Sequence, residues 1–249
     1  MDDDGESGTG LPASIEAAWG IRRRPGKGPR PGLTLSRIVQ AAMDVAEAEG
    51  LPAVSMSKVA AELGVSTMSL YRYVAAKDEL LMLMLDAAAG SPPEPPPGLG
   101  WRADLTWWSR QMMATHRRNP WTVQIPVFGP PITPNQLRWM EQGLRALAGT
   151  PLREDEKLGV ILMLSIFVRS QAALFIQLET AFQGRQDDTE VGALAGYNAL
   201  LRKVLDPRDF PAIHGVIDAG VFDAGDSEEE DFRWALDRIL DGVARLFGE

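Results

Sequence analysis

Apolar residues recur at the three- and four-residue spacing of amphipathic helices from residue 34 onward. Before residue 90 this pattern predicts four short helices, the first three capped at their N-termini by Thr34, Ser55 and Ser66. Gly50 and Gly64 follow the first and second helices, where glycine suits a C-terminal cap or a tight turn. We therefore predict a compact helical unit over residues 34–90.

A second helical region follows a proline-rich stretch at residues 91–100, which we interpret as a linker because a helix cannot continue through it. No later segment alternates as a strand does. We therefore predict an all-α chain, with a flexible arm at 1–33 and a larger C-terminal helical domain at 101–249. Residues 206–226 are expected to be irregular, and the predicted helices of this domain are 101–118, 134–148, 153–183, 190–205 and 227–249.

The segment from residue 54 to residue 74, VSMSKVAAELGVSTMSLYRYV, has the layout of a helix-turn-helix. Ala60 lies in the middle of its first helix and Gly64 in its turn, and both allow the two helices to approach closely. The motif needs that approach because its second helix must project into the DNA major groove, which is roughly 12 Å wide. The pattern predicts an N-terminal three-helix helix-turn-helix DNA-binding domain within residues 34–90.

Residues 34–82 resemble the N-terminal DNA-binding domain of the TetR family of bacterial repressors. The string GVSTMSLYRYVAAKDELL, residues 64–81, meets every fixed position that the family typically shows there. The remaining chain resembles more loosely the tetracycline-repressor-like C-terminal domain, a domain for ligand binding and dimerisation. The resemblance implies a homodimer that binds a palindromic double-stranded DNA operator and is released from it by a small molecule.

The resemblance also implies which side chains meet DNA. In the family, residues at the start of the second and third helices contact base edges and nearby phosphates. Positions matching Tyr71 and Lys77 usually hold phosphates, which positions the protein without reading sequence. Two candidates also have structural interpretations, since Met68 could cover the core of the motif and Ser69 could only begin a helix. The candidate DNA-binding residues are Met56, Ser57, Thr67, Met68, Ser69, Tyr71, Arg72, Tyr73 and Lys77.

The charge distribution supports a DNA-binding end. The net charge is −9, yet residues 20–77 hold nine basic side chains against four acidic ones. Five of these bases lie within residues 22–30, directly before the first helix. This basic arm could enter a minor groove as homeodomain arms do, or it could be a solvated leader that aids solubility.

The sequence contains no motif typical of an enzyme. It has no cysteine, and its two histidines, His116 and His214, are far apart and lack metal-ligand spacing. His116 lies near the end of a predicted helix, where a cation is favoured. We predict no catalytic residue, no metal and no cofactor. The acidic N-terminus is unlike a signal peptide, and the apolar stretch at 158–168 is shorter than the roughly 18 residues of a membrane span. We expect a cytoplasmic protein without a membrane partner.

The C-terminal domain is rich in large aromatic side chains and methionine, which form hydrophobic cores more often than ligand sites. The long helix at 153–183 also carries polar residues within its apolar path, among them Arg169 and Gln171. An apolar cavity with a few polar anchors suits a small ligand, so we predict a lipophilic or aromatic effector. The candidate ligand-binding residues are Trp108, Met112, Trp121, Phe128, Trp139, Phe167, Gln171 and Phe175.

Dimerisation is expected to use two helices of the C-terminal domain. Its last helix carries an apolar stripe, which we predict to pack in a four-helix bundle with Leu174, Leu178 and Phe182 and their symmetry mates. In the rival interpretation the stripe packs within one subunit. The residues of the stripe are Phe232, Leu236, Ile239, Val243 and Leu246.

Two other functions remain open at this point. The chain could sequester a small molecule and retain only a vestigial DNA-binding end, in which case ligand binding would persist without operator binding. It could also be a helical enzyme, which turnover of a substrate would reveal.

Overall fold

The computed structural model describes residues 9–21, 32–98, 100–182, 190–222 and 228–248, without the side chains of 182 and 190–195. Within these ranges the chain forms helices and no strand, as predicted. The chain forms two compact units, one ending at Ser170 and the other beginning at Gln171. The helices are α1 (Ala13–Ala18), α2 (Leu35–Glu49), α3 (Met56–Glu62), α4 (Thr67–Tyr71), α5 (Lys77–Ala89), α6 (Trp101–Arg118), α7 (Pro134–Ala146), α8 (Glu154–Phe182), α9 (Glu190–Val204), α10 (Pro211–Asp218) and α11 (Glu228–Arg245).

The three predicted N-terminal caps are present in the first unit. The hydroxyl oxygens of Thr34, Ser55 and Ser66 accept hydrogen bonds from backbone N–H groups three residues later, at 3.2, 3.1 and 3.3 Å. Gly64 has a φ of +65°, a left-handed conformation that glycine adopts without steric cost. Helix α4 ends at Tyr71 and is shorter than the predicted two turns. Local capping chemistry therefore sets the boundaries of the helix-turn-helix.

The predicted flexible arm is wrong over α1, because this helix packs on α2 and α5. Ile15 is fully buried in the core that α2–α5 form. The Ser14 hydroxyl donates to a Glu79 carboxylate oxygen at 2.7 Å, and the Trp19 indole donates to the carbonyl of Ile132 at 2.8 Å. The helix has only six residues, and one buried isoleucine does not make a periodic pattern. The basic arm at 22–30 lies outside the described residues.

Helices α5, α6 and α7 pack on one another within the first unit. The predicted linker at 91–100 therefore connects helices of one compact unit. Gly143 of α7 faces Trp108 and Ile161, and a Cβ atom built there would lie 2.8 Å from the Ile161 Cδ1 atom. A side chain at residue 143 would therefore require the end of the Ile161 side chain to move.

The second unit contains the end of α8 together with α9, α10 and α11. Helix α10 corrects the prediction that residues 206–226 are irregular. This helix has eight residues, contains Pro211 in its first turn and buries Ile217. Arg202 of α9 donates hydrogen bonds to the Asp218 carboxylate and the Ile217 carbonyl, which ties α9 to α10. The predicted first residue of the last helix, Ser227, lies outside the described residues.

The C-terminal stripe does not form the predicted intersubunit seam. Phe232, Leu236 and Val243 are buried within one chain, Ile239 is half-buried, and only Leu246 is exposed. The rival interpretation is therefore the correct one for most of this stripe. On α8, Leu174 and Leu178 are exposed, whereas the side chain of Phe182 is not described.

Helix α8 also changes the hydropathy argument. Its segment Glu154–Ala181 has a mean hydropathy of 1.9, so by length and composition alone it would be able to cross a membrane. Core helices of soluble proteins meet the same criteria. Counting only uninterrupted apolar residues at 158–168 therefore understated the apolar length of this helix.

Candidate nucleic-acid interface and effector site

Helices α3 and α4 present a polar surface at one end of the first unit. Ser57, Tyr71 and Lys77 are exposed, and Met68 is 74% exposed. Leu70 and Val74 fill the inward face of the motif, so the Met68 side chain has no part in that core. Of the other candidates, Arg72 is exposed and Thr67 and Ser69 are partly so. Seven of the nine candidate side chains are therefore available to a ligand at this surface.

Two candidate DNA-binding residues need correction. Met56 is buried in the core beneath α3, so its side chain does not reach a base. Tyr73 is half-buried and its hydroxyl donates to the carbonyl of Leu33 at 3.0 Å, which anchors the entry to α2. The sequence pattern placed both residues at helix ends but did not give the direction of their side chains.

The turn that follows α4 is held by Glu79 on the first turn of α5. Its Oε2 atom accepts from the backbone N–H of Ala75 at 3.0 Å and from the Ser14 hydroxyl at 2.7 Å. A carboxylate that accepts two such bonds fixes both donors, since hydrogen bonds to an ionised group are the stronger kind. Glu79 therefore connects α1, α5 and the turn that follows α4.

Asp86, near the other end of α5, joins that helix to α7. Although buried, it accepts from the backbone N–H groups of Asn135 and Gln136 at 2.8 and 3.1 Å, and from Asn135 Nδ2 at 3.0 Å. The first N–H groups of a helix have no partner within the helix, and the helix dipole favours a negative charge there. Asp86 thus caps α7 from outside. Its signal in the sequence, which was not recognised there, is that it is the single acid in the apolar run LLMLMLDAAA.

The tryptophans of α6 and α7 form part of this packing. Trp108 donates its indole N–H to the carbonyl of Trp139 at 2.9 Å, and Trp139 donates to that of Gly90 at 3.0 Å. Their rings meet edge to face with centroids 6.1 Å apart. Both are buried, so they contribute to the core rather than presenting free faces to a predicted effector.

A cleft of about 130 Å³ lies beside these rings on α6 and α7. Gln142 donates from Nε2 to the carbonyl of Pro93 at 2.6 Å, and its buried Oε1 has no hydrogen-bond partner in the described structure. Of the eight candidate ligand residues, only Trp108 lines this cleft. Its lining residues are Pro95, Asp104, Trp107, Trp108, Gln142, Arg145 and Ala146.

The remaining ligand candidates occupy different environments. Trp121 lies in the 3-10 helix Pro120–Gln124 and is buried in the core shared with α1–α5. Met112 and Phe167 are half-buried, and Phe128 is exposed. In the second unit, Gln171 is half-buried and Phe175 is buried. The structure thus gives Trp121 a core role and leaves Met112, Phe128 and Phe167 as partly accessible candidates in the first unit.

Two basic side chains, buried His116 and half-buried Arg169, lie beside the same 3-10 helix. Arg169 of α8 donates from Nη2 to the carbonyls of Val123, at 3.0 Å, and Ile125. His116 Nδ1 lies 2.9 Å from the Thr122 hydroxyl oxygen. Burial, and after it the charge of Arg169, lower the pKa of His116 from 6.5 to about 4, while burial lowers the pKa of Arg169. His116 is therefore neutral at pH 7, unlike the helix-terminal cation that the sequence suggested.

Metal binding has no counterpart among the residues described. No group of three or more His, Cys, Asp or Glu side chains there is placed to hold a metal ion. The described residues can form hydrogen bonds, ion pairs and apolar contacts.

The N-terminal half of the first unit is a helix-turn-helix with an exposed polar recognition helix, the architecture of a DNA-binding regulator. Residues 38–83 match the family of bacterial regulatory proteins named tetR, and residues 93–247 match the tetracyclin repressor-like C-terminal domain. The chain belongs to the TetR family, as its resemblance indicated.

Relatives cover nearly the whole chain. The HTH-type transcriptional repressor DrrR1 of Streptomyces coeruleorubidus is 37% identical over 98% of this chain and 89% of its own length. An HTH-type transcriptional regulator of Saccharopolyspora erythraea is 30% identical over 88% of each chain. The TetR family protein ActR of Streptomyces coelicolor, solved in complex with actinorhodin, is 28% identical, with a TM-score of 0.73 over 89% of this chain and 99% of its own.

These relationships define the function at a coarse level. The chain is a TetR-type transcriptional repressor and not an enzyme. Regulators of this family are soluble proteins that bind DNA and small-molecule ligands and act as dimers.

Proposed function

We propose that a cytoplasmic homodimer of this chain occupies a palindromic operator and leaves it when the subunits bind a lipophilic, aromatic effector. Half-buried Thr67 and exposed Met68 read bases in this proposal, while Tyr71 and Lys77 hold phosphates. Ser57, Ser69 and Arg72 flank these contacts. The polar, exposed character of this surface supports the assignment.

The hydrogen bonds between Asp86 and α7 are the observation that supports a coupling of ligand binding to DNA binding. Helix α5 begins at Lys77, after the short turn that follows the recognition helix α4, and Asp86 near its other end binds the first turn of α7. Helix α5 packs on both α6 and α7, and the hydrogen bonds of Asp86 run to α7. A shift of α7 on ligand binding would therefore move α5 and the recognition helix with it.

The DNA interface is tested with a duplex that the purified protein selects from a randomised pool. Lys77→Ala should weaken binding to selected and random DNA alike and lower the salt slope by about one charge, because a phosphate contact carries no sequence information. Thr67→Ala should instead change the preferred sequence. Fluorescence anisotropy measures both, and an equal loss on both DNAs in both variants would contradict the division of roles.

Release is tested by adding a panel of lipophilic aromatic compounds to the same complex. Asp86→Asn should reduce the fold-change in DNA affinity caused by an active compound, a coupling that is usually about 1–3 kcal/mol. Asp78→Asn, which alters an exposed acid on the same helix, is the matched control. Phe128→Ala and Phe167→Ala should weaken the compound's effect without reducing operator affinity. Trp121→Ala is unsuitable because that ring is part of the core.

Three outcomes would contradict the proposal. If no compound releases the wild-type complex, the effector assignment is wrong. If Asp86→Asn and Asp78→Asn respond equally, coupling does not pass through the α5–α7 joint. If compounds bind but no DNA is selected, the protein sequesters its ligand instead.

A further inference from the structure

Arg169 is a half-buried cation without an acidic partner among the described residues. A guanidinium has five N–H donors, and the two on Nη2 go to the carbonyls of Val123 and Ile125. The donors on Nε and Nη1 have no hydrogen-bond partner in that part of the chain. Removing a charged group from water is costly unless it is paired, so this position favours an anion.

His116 offers a second polar contact beside Arg169. The Thr122 hydroxyl donates to the carbonyl of Asn119 at 2.6 Å, so His116 must donate from Nδ1 to the Thr122 oxygen. The proton of the neutral ring is therefore on Nδ1, and Nε2 is left as an acceptor. The described residues provide no partner for this nitrogen. Arg169 and His116 together present open donors and one open acceptor.

Apolar candidates flank this pair along the chain. Met112 lies one helical turn before His116 on α6, and Phe128 follows three residues after Ile125, whose carbonyl Arg169 binds. A ligand that meets the arginine would therefore have aromatic and thioether side chains within reach of its body.

We propose that Arg169 and His116 anchor the carboxylate of an aromatic acid, which makes the effector an anionic compound rather than merely a lipophilic one. This inference rests on the proposed function and specifies the chemistry of the same ligand site. The carboxylate accepts from the open N–H groups of Arg169, and its second oxygen accepts from Nε2 of His116, which takes up a proton from solvent when the acid binds. Arg169 is a binding residue in this arrangement and also holds the 3-10 helix through its two carbonyl bonds.

The test compares two isosteric probes, 1-naphthoate and 1-naphthamide, binding to the full-length protein by calorimetry at pH 7. Wild type should bind the acid about ten- to a hundredfold more tightly, the range of a hydrogen bond to an ionised group. Arg169→Gln should abolish this preference, whereas Arg169→Lys should retain part of it because the charge remains. Equal affinity of wild type for both probes would overturn the proposal.

Arg145→Gln is the matched control, because Arg145 is an exposed arginine that lines the cleft between α6 and α7. Its preference for the acid should equal that of wild type. If Arg145→Gln abolishes the preference and Arg169→Lys leaves it unchanged, the acid binds in that cleft and the proposal is wrong. Thermal melts of each variant establish that the proteins compared are folded.

A second readout follows the two histidine rings by NMR, with His214→Gln to assign them. Bound naphthoate should raise the pKa of His116 from about 4, because the carboxylate offsets the charge of Arg169. Naphthamide should leave this pKa near its starting value. An unchanged His116 signal with saturating naphthoate would overturn the proposed geometry.

These measurements separate the anchor from the function that it serves. Discrimination between the probes without release of DNA would support the anchor and contradict effector-driven release. Release of DNA by aromatic compounds, with no preference for the acid, would support the proposed function and overturn the anchor.

Discussion

His116 illustrates how burial reverses what a residue's position in a helix suggests. The last turn of α6 favours a cation, and Arg117 and Arg118 are exposed there. His116 instead turns inward, where desolvation and then Arg169 oppose its protonation. It is a neutral donor to Thr122, a structural role that position in the helix alone did not predict.

We predict a pH-dependent contribution of His116 to stability. Between about pH 4 and 6.5 the unfolded chain protonates this ring and the folded chain does not, so the unfolded state binds more protons. The free energy of unfolding should therefore fall as pH decreases through this window, by about 3 kcal/mol at most, and the contribution is complete above pH 6.5.

Urea unfolding of wild type and His116→Gln at pH 4.5, 5.5 and 7 measures this contribution. Glutamine retains a donor for Thr122 but does not titrate, so the variant should lose less stability on acidification. His214→Gln controls for removal of a histidine as such. Parallel pH profiles for wild type and His116→Gln would show that this ring is not the source.

At the scale of the element, the N-terminal helix α1 completes the core of the DNA-binding domain. Ile15 is fully buried among residues of α2 and α5, and Ser14 and Trp19 form hydrogen bonds to Glu79 and Ile132. Through these bonds α1 contacts both α5 and the loop that leads into α7. The helix therefore stabilises the part of the first unit that carries the proposed coupling.

Ile15→Ala should lower the free energy of unfolding by about 2–5 kcal/mol, because it leaves a cavity in that core. Ile21→Ala is the matched control, since Ile21 is 56% exposed and its truncation should cost less than about 0.5 kcal/mol. Urea unfolding followed by circular dichroism measures both. Similar values for the two variants would mean that α1 does not contribute to the stability of the core.

The elements differ in how far the sequence predicts them, and the reason is physical. Helices α2, α3 and α4 have polar caps at Thr34, Ser55 and Ser66, which act locally and are therefore visible in the sequence. Helices α1 and α10 are short, lack a side-chain cap and contain too few turns to show a period. These two helices depend on tertiary contacts, which override local propensity.

The candidate sites show the same division. The exposed residues of α4 follow from the family's motif because the spacing there is short and fixed. Asp86 and Arg169 bind partners that are distant in the sequence, and the pKa of His116 depends on burial and on Arg169 of another helix, so their roles emerged only from the structure. Aromatic richness alone did not separate core tryptophans from ligand residues, since both types of site favour the same side chains.

At the scale of the whole molecule, the proposed dimer must use apolar surface that a single chain leaves exposed. The buried stripe of α11 does not meet this requirement, whereas Leu174 and Leu178, one turn apart on α8, do. Two-fold symmetry would bring each of these leucines into the interface twice. We therefore expect α8 to supply the apolar contact between subunits.

Leu178→Glu should dissociate the dimer while each chain stays folded, because this side chain is 40% exposed in the single chain. Burying the charge twice and losing the apolar contact should raise the dissociation constant by about a hundredfold or more. Light scattering gives the mass and circular dichroism the helix content. Gln177→Glu, which adds the same charge at an exposed neighbouring position, should leave the dimer intact. Leu236→Glu should instead impair folding, since Leu236 is buried in the single chain. The interface would instead lie on the C-terminal helix if Leu178→Glu remained a folded dimer with wild-type affinity and Leu236→Glu became a folded monomer.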